Sequence, residues 1–217
     1  MQKIFLTALG LCLLAGNVGA QDTYRQAGDW IARGGLGVVA PDGDGATVAP
    51  GTDLDVDDGY AITLTAAYMI TDHIAVELLA STPFNHDIDL DGAGTVGETD
   101  QLPPTLSLQY HFGPFGRAQP YVGAGVNYTI FFNEKTRGAL DGATLNLDDS
   151  IGLAGQVGLD WHFGNNWLAN IDLRYISIET DAELGGQDIG GPGVGKLKID
   201  DVEIDPWVAS INVGYNF

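Results

Sequence analysis

The chain closes on Trp207-Val-Ala-Ser-Ile-Asn-Val-Gly-Tyr-Asn-Phe217, where apolar or aromatic residues occupy every second place up to the last one. Period two is the repeat of an extended strand. Trp207, Ala209, Ile211, Val213, Tyr215 and Phe217 therefore share one face, while Ser210, Asn212, Gly214 and Asn216 share the other. Aromatic residues at both ends of an apolar face are the interfacial girdles of a strand that crosses a membrane. The segment is expected to meet lipid on one side and a polar interior on the other.

The opposite end of the chain agrees. Lys3 precedes an apolar run from Ile4 to Leu14, and Val18-Gly19-Ala20 supplies small residues for cleavage, so residues 1–20 read as a secretory signal peptide and 21–217 as one barrel domain. No later segment offers the roughly 20 uninterrupted apolar residues that a spanning helix needs. The only cysteine, Cys12, lies inside the leader, which leaves the exported chain without disulfides. A formal charge of −20 excludes nucleic acid as an electrostatic partner.

Alternation of the same kind marks eight strands, near 30–40, 60–70, 73–83, 102–112, 119–132, 150–163, 167–178 and 207–217. Their connections alternate between short (71–72, 113–118, 164–166) and long (41–59, 84–101, 133–149, 179–206). Short periplasmic turns and long external loops are the outer-membrane pattern. The expected fold is all-β, an eight-stranded antiparallel transmembrane barrel with four long extracellular loops in the bacterial outer membrane.

The pleat sorts the side chains. Tyr60, Ile62, Leu64, Leu78, Leu106, Leu108, Val157, Ile171 and Leu173 face lipid, and Arg33, Glu77, Ser107, His111, Asp160, His162, Asp172 and Arg174 face the interior. A register slip of one residue would put every one of these charges into hydrocarbon, at a cost of several kcal/mol each. Inside, Arg33 and Arg174 are placed to neutralise some of Glu77, Asp160 and Asp172. Such a cluster reads either as a structural plug or as a polar floor beneath a pocket lined by Leu79, Met69 and Leu168. Ser107 and His111 with Asp160 or Asp172 contain the residue types of a hydrolytic triad, although no nucleophile motif, zinc spacing or phosphate loop supports an enzyme.

Two further features lie at the outer ends of the strands and in the connection beyond them. Pro83 sits near the outer end of the third strand and Pro103-Pro104 near that of the fourth, so donors are missing along a shared seam. The prolines either mark a lateral opening or only end strands and blunt aggregation. The acidic connection Asp87-Ile-Asp89-Leu-Asp91-Gly92, followed by five residues and then Glu98, fits the EF-hand expression. Flanking strands replace the flanking helices of that motif, so a solvated acidic loop is the competing reading, with divalent ions shared with lipopolysaccharide phosphates between the two.

Glu77-Leu-Leu-Ala-Ser-Thr-Pro-Phe84, Leu102-Pro-Pro-Thr105, Pro120-Tyr-Val-Gly-Ala-Gly-Val-Asn-Tyr128, Ala154-Gly-Gln-Val-Gly158 and Asp205-Pro-Trp207 together resemble the OmpW family of small outer-membrane proteins, from about Ile31 to Phe217. The resemblance implies an eight-stranded barrel around a narrow, largely apolar tunnel, and uptake of small hydrophobic molecules such as alkanes or aromatic hydrocarbons; no cofactor is expected. Leu79 matches an apolar lumen position; Arg174 departs from the aromatic residue implied at the narrow end. The competing class is a non-conducting structural or surface-interaction barrel whose acidic loops bind a partner or cations.

Overall fold

The computed structural model describes residues 25–41, 46–49, 52–90, 94–164, 166–186 and 196–217. The leader expected at 1–20, and Asp91 of the acidic connection, lie outside them. In chain order the strands are β1 (Trp30–Ala40), β2 (Ala46–Ala49), β3 (Thr52–Val56), β4 (Gly59–Met69), β5 (Ile74–Ser81), β6 (Phe84–Leu90), β7 (Gly94–Leu102), β8 (Thr105–His111), β9 (Ala118–Thr136), β10 (Thr144–Leu147), β11 (Ser150–His162), β12 (Trp167–Ile176), β13 (Glu179–Gly185), β14 (Lys196–Glu203) and β15 (Trp207–Asn216).

The eight alternating segments form the barrel. Antiparallel pairing runs β1, β4, β5, β8, β9, β11, β12, β15 and back to β1, which leaves no free edge in the membrane. The C-terminal strand completes the ring, with Ile31 opposite Asn216 and the Phe217 amide donating to the Trp30 carbonyl at 2.8 Å. On β4, burial alternates without exception from Gly59 to Met69. Every charged side chain of the spanning strands points inward, while Ile62, Leu64, Leu106, Leu108, Val157 and Ile171 point out. Trp30 against Tyr68 and Trp167 against Tyr215 form the periplasmic girdle, and Tyr175 against Trp207 belongs to the outer one.

The long connections are not loops for most of their length. The β6–β7 hairpin attaches to the outer half of the 19-residue β9, and β3 and β2 continue the sheet beyond β6. β10, β13 and β14 form a three-stranded sheet of their own. In these extensions the polarity of the pleat is reversed. Asn85, Asp87, Glu179, Lys198 and Asp200 point out, whereas Phe84, Ile88, Val96, Ala182, Leu184, Val202 and Ile204 point in. Water replaces lipid as the outer solvent, so the apolar residues move to the inside. Above the bilayer the barrel therefore becomes an apolar chamber with an acidic wall.

Candidate functional site

The lumen is built in layers. At its mid-depth Glu77 accepts from two guanidinium groups, Arg33 Nη1 and Arg174 Nη2, each at 2.9 Å. Arg33 also donates to both oxygens of Asp160, at 3.1 and 2.8 Å. Arg174 lies 3.5 Å from Asp172, whose other oxygen accepts from the Tyr121 hydroxyl at 2.7 Å. Asn170 donates to Asp160 at 2.8 Å, and Asn212 donates to Asn170 at 2.8 Å. Buried charges persist only when paired and hydrogen-bonded, and these are both. Gly158 is the space that lets the Tyr121 ring enter this layer, since a Cβ there would lie 2.1 Å from Cζ.

The sequence reading missed Arg25, which precedes the first strand and belongs to no periodic pattern. It enters from the periplasmic end, 1 % exposed, and contacts Asp160 and the Nδ1 of His111. A guanidinium only donates, so His111 Nδ1 accepts and its Nε2 carries the hydrogen shared with Gln109 Oε1 at 3.0 Å. Both ring nitrogens are thus engaged, and the Ser107 hydroxyl bonds to neither. No triad forms. His162 is buried near the same end.

Met69 and Leu168 do not line a pocket above the charges. Met69 ends β4 and Leu168 begins β12, which places both at the periplasmic mouth, packed with Ile31, Ala67 and Ala75. Leu79, one pleat above Glu77, does line the space over the charges, together with Ser81, Phe84, Pro103, Ile176 and Val208. That space is small, about 10 Å³. It is capped by an apolar layer that includes Val39, Phe84, Phe131, Ile178 and Ile204. Above the cap the extensions enclose a larger cavity of about 70 Å³, lined by Ile88, Val96, Leu145, Leu147, Leu184 and Val202 among others.

The three prolines lie where the ladder between the barrel and its extension is interrupted. Register runs up β5 and β8 to Leu79 opposite Thr105, then resumes between β6 and β7 with Phe84 opposite Gln101. No ladder pair joins 80–83 to 102–104 among the described residues. Each side turns elsewhere for partners: the Thr82 amide donates to Ile62 O at 2.9 Å, and Pro104 O accepts from the Tyr128 amide at 3.0 Å. Pro103 and Ser81 line the small cavity, so the interruption borders the lumen.

The described residues of the acidic connection have no EF-hand geometry. Asp87 and Asp89 lie on the extended β6, with Asp87 directly opposite Glu98 across the hairpin, whereas an EF-hand loop wraps its ligands around the ion. Glu98 is already held by Lys135 at 2.7 Å and by Arg137. The Lys135 hydrogen bond holds its carboxyl below the ordinary carboxylate range. Among the described residues no group of three or more His, Cys, Asp or Glu could hold a metal ion.

Comparison with known proteins accounts for this architecture. The chain is 41 % identical to outer membrane protein W of Vibrio cholerae over 97 % of this chain and 99 % of that protein. It is 29 % identical to the dibenzothiophene metabolism operon protein PahQ of Pseudomonas aeruginosa over 91 % of this chain and 93 % of that one. The crystal structure of the outer membrane protein OprG from Pseudomonas aeruginosa superposes with a TM-score of 0.81 at 41 % identity, covering 90 % of this chain and 98 % of that one. The sequence model of the OmpW family matches residues 26–217. This chain is an outer-membrane β-barrel and belongs to the OmpW family.

Proposed function

We propose that the barrel admits small hydrophobic solutes passively from outside and releases them sideways into the bilayer. The observation that carries this reading is the vertical order of the lumen. An apolar chamber opens above an apolar cap, the cap stands over an interrupted ladder, and three paired guanidinium groups close the way below. An apolar solute would exchange water for the chamber wall at a gain of roughly 25 cal/mol per Å² buried. It would meet a prohibitive polar layer only at the floor, and the seam at 80–83 and 102–104 offers lipid before that. The operon name of the PahQ relative, dibenzothiophene metabolism, fits an apolar aromatic solute.

One observation favours a second reading, a structural or surface-interaction barrel that conducts nothing. The space over the floor, about 10 Å³, is at the lower limit of what holds a single water. In that case the acidic outer wall would be the working surface, toward divalent cations or lipopolysaccharide.

Uptake of a labelled medium-chain alkane and of a small polar solute, by cells with and without the barrel, separates the two. Faster alkane uptake alone supports the channel; no change in either, with folded protein, supports the surface role. Replacing Pro83, Pro103 and Pro104 by residues that donate to the ladder is expected to slow alkane uptake while the barrel stays folded. Unchanged uptake in that variant would remove the seam from the route.

A further inference from the structure

The outer chamber is lined mainly by apolar side chains; its polar lining is His86 of β6 and Gln101 of β7, with Thr99, Thr136 and Thr180, whose hydroxyls already donate to the backbone carbonyls of Asp100, Ala143 and Asp148. The protons of His86 and Gln101 can be assigned from geometry. His86 Nδ1 lies 2.6 Å from the backbone carbonyl oxygen of Asp57, and a carbonyl oxygen only accepts, so Nδ1 carries the hydrogen. In the neutral imidazole Nε2 is then an acceptor. Burial favours that neutral form, lowering the pKa of His86 below its ordinary value. Gln101 must therefore present its amide nitrogen to Nε2, at 2.8 Å.

This fixes the other half of the amide. Gln101 is 1 % exposed, and its Oε1 finds no donor among the described residues. The arrangement is supported from behind: a Cβ at Gly59 would lie 2.6 Å from His86 Cε1, so the imidazole is seated against bare backbone and cannot retreat from the amide. The chain Asp57 O, His86, Gln101 thus leaves one amide acceptor without a donor at the wall of a mainly apolar space.

We propose that Gln101 Oε1 is the polar contact of a binding subsite in this chamber, and that the subsite takes solutes with a single O–H or N–H donor on an apolar body, phenols and short alcohols being the simplest. The proposal rests on the uptake reading and names its solute class. A buried acceptor left unpaired is costly, so a donor-bearing solute gains a hydrogen bond that an arene or ether of the same size does not.

The test uses phenol, anisole and toluene, which share a ring and differ in having a donor, an acceptor only, or neither. The protein in lipid nanodiscs is titrated with each, and binding is read by NMR at the Gln101 side-chain amide and the methyls of Ile88 and Val202. Each affinity is corrected for that probe's partition into protein-free nanodiscs. Phenol is expected to bind about fivefold more tightly than anisole or toluene, the worth of one neutral hydrogen bond. Gln101→Leu should bring the three together. Equal affinities in the wild type, or a phenol preference that survives Gln101→Leu, would overturn the subsite, and the first comparison does not depend on a variant folding. Equal binding of all three removes the subsite and leaves the uptake reading standing; binding of none removes both.

Discussion

Glu77→Gln removes one negative charge from the centre of the floor while keeping the shape of the side chain. In the wild type Arg25, Arg33 and Arg174 face Glu77, Asp160 and Asp172, and Glu77 supplies one oxygen to Arg33 and the other to Arg174, both at 2.9 Å. A glutamine can turn its oxygen to only one of them. Its amide hydrogens must then point at the other guanidinium, donor against donor. Breaking a buried pair costs about 3–5 kcal/mol. Arg33 retains Asp160 at 2.8 Å and Arg174 retains Asp172 at 3.5 Å, so the lower end, about 3 kcal/mol, is expected. Urea unfolding of the barrel in lipid vesicles, followed by tryptophan fluorescence, measures it. Adding Arg174→Met restores the charge balance, and the double variant should recover about 1–3 kcal/mol relative to the sum of the single ones. A loss below about 1 kcal/mol for Glu77→Gln, or strict additivity in the double variant, would refute the reasoning that the floor is held by mutual charge compensation.

Three further outcomes are expected. Leu108→Arg, at a lipid-facing position 54 % exposed, should cost about 2–4 kcal/mol in the same unfolding assay. Gly158→Ala sets a methyl group against the Tyr121 ring and should weaken its bond to Asp172, at about 1–3 kcal/mol; an unshifted Tyr121 hydroxyl resonance would contradict this. Burial holds the folded pKa of His86 below its ordinary 6.5, so the opened chamber takes up a proton first on acidification. Chamber stability is then full well above pH 6.5 and falls as the pH drops through that value. Amide exchange in β6 and β7, corrected for its intrinsic rate, should be faster at pH 5.5 than at 7.5, and His86→Gln should abolish the difference.

The membrane part of the fold was legible because one solvent contrast, lipid outside and polar groups inside, acts on every residue of eight segments. Leu78, Glu77 and Leu79 illustrate it: three consecutive residues whose facing follows from period two alone, and which the structure places as lipid-facing, floor and lumen. The extensions obey the same period with the sign reversed. Asp87-Ile-Asp89 alternates as strictly as any spanning strand, but its charges drew the reading toward a loop and an ion site. Met69 and Leu168 turn inward, as period two requires, but lie at the periplasmic mouth, because facing comes from the pleat and depth only from strand direction. Arg25 had no signal at all: a single residue before the first strand carries no period, and its role depends on Asp160 and His111, far along the chain.

The reversal of polarity above the bilayer gives the chamber an anionic rim around a mainly apolar interior, with Asp87, Glu179, Asp200 and Glu203 all turned outward. A field of that sign reaches about 8 Å into physiological saline. It depletes anions from the approach, while the apolar lining rejects cations that the field would gather. Under the uptake reading the discrimination is between charge states of one molecule before it is between molecules. A carboxylic acid and its carboxylate differ by a proton, and only the acid should find the mouth open. Flux of such a solute would track its neutral fraction, so the acidity of the medium, rather than any moving part of the protein, would set the rate.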